Sequence, residues 1–189
     1  MGEVKTRDRA ADIRSALRRL VAGSGLDGAA MSAVATEAGV ATGTAYTYYG
    51  SKEELVIATY LETKDQMGEV ALAAADPGLP PDERFVALWG AIYSHFVDNP
   101  DQAKFLVQIE SSPYLEKARA YARTGEKGAL TRIVETDDMA RSLAPLDPVI
   151  LYELGIAPAA RLAASGIKLG GREQEATAGG CWRAISRPG

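Results

Sequence analysis

The stretch GVATGTAYTYYGSKEEL, residues 39–55, concentrates side chains that can bind phosphate oxygens. Tyr46, Tyr48 and Tyr49 fall within four positions, among threonines and small residues, and Lys52 follows closely. A phenol hydroxyl can donate a hydrogen bond to a phosphate oxygen, and a lysine can add a point charge to the same contact. This combination indicates binding to a polyanion.

Two short helices joined by a tight turn would present these side chains. The pattern predicts MSAVATEA and TGTAYTYY as helices, with GVA between them. Gly39 stands where the first helix must end in a left-handed turn, and the apolar Val40 that follows it can be buried at the corner of the turn. This arrangement is typical of a helix-turn-helix.

The second of these helices has a slim leading face and an aromatic end. A recognition helix enters a major groove about 12 Å wide, which explains why Thr42, Gly43 and Thr44 are small. One tyrosine ring can anchor the short helix while another hydroxyl reaches a phosphate. The alternative is that all three rings are core and Lys52 is merely solvated, but this explains neither the turn nor the missing bulk.

Charge and composition agree with a nucleic-acid partner for the first part of the chain. The 189 residues are 47% hydrophobic and 24% charged, which is ordinary for a globular protein. The net charge of −4 divides into +2 for residues 1–52 and −6 for the remainder. The single cysteine excludes an internal disulfide, and no apolar run approaches the roughly 18 residues of a membrane span. We expect a cytoplasmic protein without membrane contact.

Hydrophobic periodicity predicts an all-α protein. Apolar residues recur every three or four positions from Phe85 to Val97, and no stretch alternates long enough for a strand. The first helix should stop near Gly23 or Gly25, and Ser51 with Glu54 forms a capping box that opens a long helix. A break at DPGLPPDE separates this helix from the later ones. We expect those at about 82–98, 101–112, 115–138, from 147 onward, and 171–186.

The run AVATEAGVATGTAYTYYGSKEELVIATYLE resembles the DNA-binding region of the tetracycline-repressor-like (TetR) family. The similarity lies in the alanine-glycine-valine turn, the threonine- and tyrosine-rich second helix and the SKEE opening of the next helix. It implies about nine helices in two domains and a dimeric transcriptional regulator. A three-helix DNA-binding domain would occupy residues 1–52, a linking helix about 51–75, and a ligand-binding and dimerisation domain 76–189.

The resemblance also assigns roles to residues of the recognition helix. It implies DNA contacts for Thr42, Gly43, Thr44, Tyr46, Thr47, Tyr48 and Lys52, and places Tyr49 on an aromatic core position. Two positions depart from the family pattern. Ala30 replaces the usual threonine or serine cap of the second helix, so one expected phosphate contact is lost. Ala45 replaces a bulkier aliphatic residue, which implies looser packing under the recognition helix.

The last two helical segments resemble the dimerisation helices of this family. Residues 149–162 and 171–185 are rich in alanine and glycine, so two copies could approach closely. We expect Pro158 to kink the first segment. The predicted interface residues are Ile150, Leu151, Leu154, Leu162, Trp182 and Ile185. The alternative is that these helices close the core of a monomer.

An aromatic group further along the chain could line a ligand cavity. Its members are Trp89, Tyr93, Phe96, Phe105, Ile109 and Tyr114. His95 or Glu110 could offer polar contacts there. The same spacing is more often that of plain helical core, and Cys181 is best explained as a packing residue.

The function indicated is a ligand-responsive transcriptional regulator, expected to be a repressor that a small apolar effector releases from a palindromic operator. A homodimer, double-stranded DNA and an unidentified effector are the expected partners. One histidine and one cysteine, without a metal-binding cluster or phosphate loop, argue against an enzyme, a metal site or a cofactor. The alternative is a helical small-molecule-binding or interaction protein that no longer binds DNA.

Overall fold

The computed structural model describes residues 8–124 and 128–188, with the side chains of residues 123 and 124 left aside. Residues 1–7 of the predicted DNA-binding domain, residues 125–127 of a predicted helix and residue 189 lie outside this part of the chain. The all-α prediction is confirmed. The described ranges form α1 (Arg9–Gly28), α2 (Met31–Ala38), α3 (Thr42–Tyr48), α4 (Lys52–Ala74), α5 (Pro81–Asp98), α6 (Pro100–Glu110), α7 (Tyr114–Thr124), α8 (Ala129–Val134), α9 (Asp137–Ser142), α10 (Pro148–Gly155), α11 (Ala157–Ala164) and α12 (Gly171–Ile185).

The helix count differs from the expected nine because two predicted segments are interrupted. The segment predicted over 115–138 contains α7 and α8 and ends in the first residues of α9. Thr136, with extended φ and ψ, precedes α9, so the helix cannot continue there. Pro158 lies at the second position of α11, where its missing N–H costs little, and α10 has already ended at Gly155.

Glycines and caps set the boundaries of the first helices largely as predicted. Gly25 has a φ of 77° and kinks α1, which then continues for one more turn to Gly28. The Ser51 hydroxyl accepts a hydrogen bond from Glu54 N, as a capping box requires, at 3.1 Å. The reciprocal bond differs from the standard box, because Glu54 accepts from Gly50 N rather than from Ser51 N.

The loop between α4 and α5 is held by one buried arginine. The Arg84 guanidinium donates to the carbonyl oxygens of Asp76, Pro77 and Leu79, and it forms a 2.7 Å ion pair with Asp138. These hydrogen bonds from Arg84 hold the pKa of the Asp138 carboxyl down to about 2. The proline-rich break is therefore a fixed corner that joins α4, α5 and α9.

A continuous apolar core connects the N-terminal helices to the rest. Buried side chains of α1, α2 and α4 continue into those of α5 and α6, and α1 packs directly on α6 as well as on α2 and α4. In the described part of the chain, every helix is too short or too polar to cross a membrane. The position of the domain boundary stays a prediction, since the shared core runs across it.

Candidate nucleic-acid interface and regulatory core

The turn between α2 and α3 has the geometry predicted for a helix-turn-helix. Gly39 ends α2 in the left-handed region, with a φ of 68° and a ψ of 36°. The next residue, Val40, donates its backbone N–H to Ala35 O at 2.9 Å and is partly buried against the core. Ala30 caps α2 without a side-chain hydrogen bond, which agrees with the departure noted in the sequence.

Helix α3 separates its side chains into an inner and an outer face. Ala45 is fully buried, and Tyr49, immediately after the helix, is only 6% exposed. Tyr46 and Tyr48 are 50% and 46% exposed. Thr44 is half-buried at the edge of the outer face. The outer face therefore carries all the predicted DNA-contact residues of this helix: Thr42, Gly43, Thr44, Tyr46, Thr47 and Tyr48.

Tyr49 anchors α3 to α1. Its hydroxyl accepts a hydrogen bond from Arg14 Nη1 at 2.6 Å and donates to Ala10 O at 3.3 Å. Burial raises the pKa of this phenol, although the adjacent guanidinium opposes the shift. The inward ring thus acts as a support for α3, as the resemblance implied.

Two arginines of α1 and one glutamate of α4 extend this support. Glu62 accepts from Arg14 at 2.7 Å and from Arg18 at 2.6 Å. Burial of the Glu62 carboxyl would raise its pKa, but the hydrogen bonds from both arginines outweigh it and the pKa is lowered. Sequence reasoning missed this triad; the available signal was Arg14 and Arg18, one turn apart on the apolar side of α1.

Lys52 lies at the first position of α4, four residues after the end of α3. Its Nζ donates to Leu26 O, in the last turn of α1, at 2.6 Å. This bond ties the start of α4 to the last turn of α1, where the Leu26 carbonyl also accepts from Ala29 N. Contact between Lys52 and phosphate stays a prediction.

The predicted ligand residues belong to the apolar core and lie on α5, on α6 and at the start of α7. All are buried except Tyr114, which is partly exposed: Trp89, Tyr93, Phe96, Phe105, Ile109 and Tyr114. The rings of Trp89 and Tyr93 stack with centroids 5.7 Å apart. Their polar atoms already have partners, because Trp89 Nε1 donates to Gly155 O, and Tyr93 Oη donates to Ile167 O.

The two candidate polar contacts separate in space. His95 is half-buried and pairs through Nε2 with Gln102 Oε1 at 3.0 Å, so this ring nitrogen already has a partner. Glu110 ends α6 and accepts from Tyr152 Oη at 2.6 Å. Sequence reasoning missed Lys64, which lies with its Nζ 3.6 Å from the centroid of the Tyr152 ring.

The predicted interface residues divide between an open face and the core. Ile150 and Leu154 are each 44% exposed on α10, together with Leu146 and Val149 nearby. The remaining four are more enclosed: Leu151, Leu162 and Trp182 are half-buried and Ile185 is buried. The structure thus places an apolar surface on α10, supported from within the chain by Ile185.

Comparison with known proteins adds an independent observation. Residues 13–59 match the family described as bacterial regulatory proteins, tetR family, and residues 80–186 match a tetracyclin repressor-like C-terminal domain. An uncharacterized HTH-type transcriptional regulator of Haemophilus influenzae is 33% identical over 120 residues. That alignment covers 60% of this chain and 60% of the relative.

Solved structures match over nearly the whole chain. A TetR-family transcriptional regulator from Haemophilus influenzae superposes with a TM-score of 0.78 at 28% identity, covering 95% of this chain and 97% of that one. A putative transcriptional regulator from Vibrio parahaemolyticus gives a TM-score of 0.72 at 26% identity, covering 96% of this chain and all of that one. The similarity therefore extends through the C-terminal helices as well as the helix-turn-helix.

Proposed function

The chain belongs to the TetR family of transcriptional regulators with a helix-turn-helix DNA-binding domain, and on this premise we propose that it is a dimeric repressor released from its operator by a small effector. In this proposal α3 enters the major groove of a near-palindromic operator. The C-terminal helices bind the effector and the second subunit. Repression follows from occupancy of the operator.

The division of α3 into two faces carries the proposal for DNA contact. Tyr46 and Tyr48 are large aromatic residues that the protein leaves half-exposed, while Tyr49 secures the same helix from inside. At Gly43 an added Cβ would meet no atom of the chain within 4 Å. The fold does not require glycine there, so the small size supports close approach of an external surface.

The exposed face of α10 supports a dimer. Four aliphatic residues (Leu146, Val149, Ile150 and Leu154) are at least 38% exposed along this helix and its approach. A contiguous apolar surface on a monomer is a candidate for self-association. A two-fold dimer would place two recognition helices one DNA turn apart, about 34–36 Å.

Two connections could carry effector binding to the recognition helix. Helix α4 begins beside α3 and is tied to α1 through Glu62. Helix α6 is tied to α1 by Gln108 Nε2, which donates to Val21 O at 2.9 Å. We therefore expect an effector that shifts α4 or α6 to change the spacing of the two recognition helices, and DNA to weaken effector binding by the same factor.

A nuclease-protection experiment on the DNA upstream of the protein's own gene tests this function. We expect a protected near-palindrome whose half-site centres lie about 10 base pairs apart, or a multiple of one helical turn. The double variant Tyr46→Phe/Tyr48→Phe should lose the protection while remaining folded. Absence of protection at any concentration that keeps the protein soluble would favour the alternative of a ligand-binding protein without DNA contact.

A further inference from the structure

Helix α3 has few apolar contacts that could fix its orientation. It is seven residues long, and a helix of this length is not stable alone in water. It packs on α2, and within α3 the one fully enclosed side chain is that of Ala45. A single methyl group buries little apolar surface. The orientation of α3 therefore depends strongly on Tyr49, the buried residue that follows it.

Tyr49 is held by a chain of hydrogen bonds that ends on α4. Its hydroxyl accepts from Arg14 Nη1 at 2.6 Å, and Arg14 Nη2 lies 2.7 Å from Glu62 Oε1. The second carboxylate oxygen, Glu62 Oε2, accepts from Arg18 Nη1 at 2.6 Å. One carboxylate of α4 thus binds two guanidinium groups of α1, one with each oxygen.

Arg14 depends on this carboxylate more than Arg18 does. Arg18 also donates to Ser15 Oγ at 3.1 Å, whereas the other partner of Arg14 among the described residues is Tyr49 itself. The Nε atoms of both arginines are buried without an acceptor, so oxygens that could replace Glu62 are scarce around them. Without the Glu62 charge the two guanidinium groups would repel each other, and a displacement of Arg14 would move its partner Tyr49.

The cluster is enclosed enough for these contacts to be strong. The side chains of Arg14, Arg18 and Glu62 are 19%, 8% and 23% exposed, so solvent screens them less than it screens a surface ion pair. The hydrogen bond to Glu62 raises the pKa of Arg14, although burial of the guanidinium opposes this shift. Glu62 therefore stabilises the charged form of the side chain that holds Tyr49.

We propose that Glu62 is a positioning residue for sequence recognition, which acts through Arg14 and Tyr49 to fix the orientation of α3. This role requires no contact between Glu62 and DNA. The inference rests on the proposed function, in which α3 reads an operator in the major groove.

Loss of this support should affect discrimination between DNA sequences more than the overall attraction to DNA. Hydrogen bonds to base edges require a defined position of the helix in the groove. Attraction to phosphates is independent of sequence and tolerates small displacements. A displaced α3 would therefore bind operator more weakly and random DNA almost as before. Partial unfolding of the protein would instead lower both affinities by the same factor.

Glu62→Gln removes the charge while nearly preserving the size of the side chain. Anisotropy titrations should show the ratio of operator affinity to random-DNA affinity falling about tenfold, the effect of one hydrogen bond to a charged group. Glu62→Asp keeps the charge but is one methylene shorter, so it cannot bridge both arginines in the same way. It should lower the ratio in the same direction and carries the test if Glu62→Gln unfolds. The control Glu69→Asp, at an exposed position of α4, should keep the wild-type ratio.

Double variants test the route through Arg14. Glu62 and Tyr49 belong to one chain of hydrogen bonds, so Glu62→Gln/Tyr49→Phe should lower operator affinity little further than the more damaging single change. Glu62→Gln/Tyr46→Phe combines two separate effects, and the two losses of operator affinity should multiply. Losses that also multiply for the pair with Tyr49→Phe would mean that Glu62 does not act through Tyr49, and would overturn the proposal.

Amide NMR spectra of the protein without DNA separate this inference from the proposed function. Glu62→Gln should shift the resonances of residues 42–49, and Glu69→Asp should leave them in place. If these resonances shift but the wild type binds operator and random DNA equally, the support of α3 by Glu62 stands and the proposed function is contradicted. If the resonances do not shift, or if Glu62→Gln lowers both DNA affinities by the same factor, the positioning role is wrong while the proposed function stands.

Discussion

The guanidinium of Arg14 donates a 2.6 Å hydrogen bond to the hydroxyl of Tyr49, joining α1 to the residue that immediately follows the recognition helix. The same arginine binds Glu62 of α4. Tyr49 is thus part of a junction of three helices, α1, α3 and α4. It holds α3 in place so that the neighbouring tyrosines can face outward.

Tyr49→Phe should destabilise the protein without directly removing a DNA contact. The variant leaves the Arg14 donor with one partner fewer, and we expect the free energy of unfolding to fall by about 1–2 kcal/mol. Urea unfolding followed by circular dichroism measures this change. Tyr48→Phe is the matched control, because its exposed hydroxyl should leave unfolding unchanged; an equal loss in both variants would contradict the assignment of Tyr49 as the anchor.

Lys52→Ala should weaken binding to operator and to random DNA alike. A phosphate contact carries no sequence information, so the dependence of log affinity on log salt should fall by about one unit for both DNAs. Anisotropy titrations at several salt concentrations measure the slope. Lys104→Ala, which removes an exposed lysine from α6, should leave both slopes unchanged, and a loss confined to the operator would mean that Lys52 reads bases.

Ile150→Asp should dissociate the proposed dimer. The change places a charge in the middle of the exposed apolar face of α10, where a second subunit would have to bury it. Sedimentation velocity should show monomer at concentrations where wild type is dimeric. Leu72→Asp alters an equally exposed leucine of α4 and should remain dimeric. If Ile150→Asp still sediments as a dimer, the interface lies elsewhere.

The sequence predicted the local elements well because short-range physics determines them. Gly39 and Val40 specify the turn, Ser51 specifies a helix start, and the proline-rich break before α5 admits no helix. The different exposure of Tyr46 and Tyr49 likewise follows from their separation of three positions along the chain. These features depend on neighbours within a few residues.

Long-range polar pairs could not be predicted in the same way. Glu62 is 44 to 48 residues from its two arginines, and Arg84 is 54 residues from Asp138. Each side chain alone is typical of a solvated helix face. The break before α9 was also missed, because a Thr-Asp step is compatible with either a helix interior or a new N-cap.

The ion pair between Arg84 and Asp138 predicts a specific loss of stability in acid. The pKa of Asp138 is lowered from its ordinary 3.8 to about 2, so its stabilising contribution is complete above about pH 4 and is lost as the pH falls towards 2. The difference in unfolding free energy between wild type and Asp138→Asn should therefore shrink over this interval. The neighbouring Asp137→Asn serves as control, and a pH-independent difference for Asp138→Asn would contradict the pairing.

The most direct test of DNA recognition compares upstream DNA with a shuffled duplex of the same length and composition. Anisotropy titrations should show tighter binding of the wild-type protein to upstream DNA, with two chains per duplex. Tyr46→Phe should weaken that binding by about 1–2 kcal/mol through loss of one hydrogen bond to a phosphate, without lowering the melting temperature. Equal affinity of the wild type for both duplexes, unaffected by Tyr46→Phe, would contradict the assignment of α3 as the recognition helix.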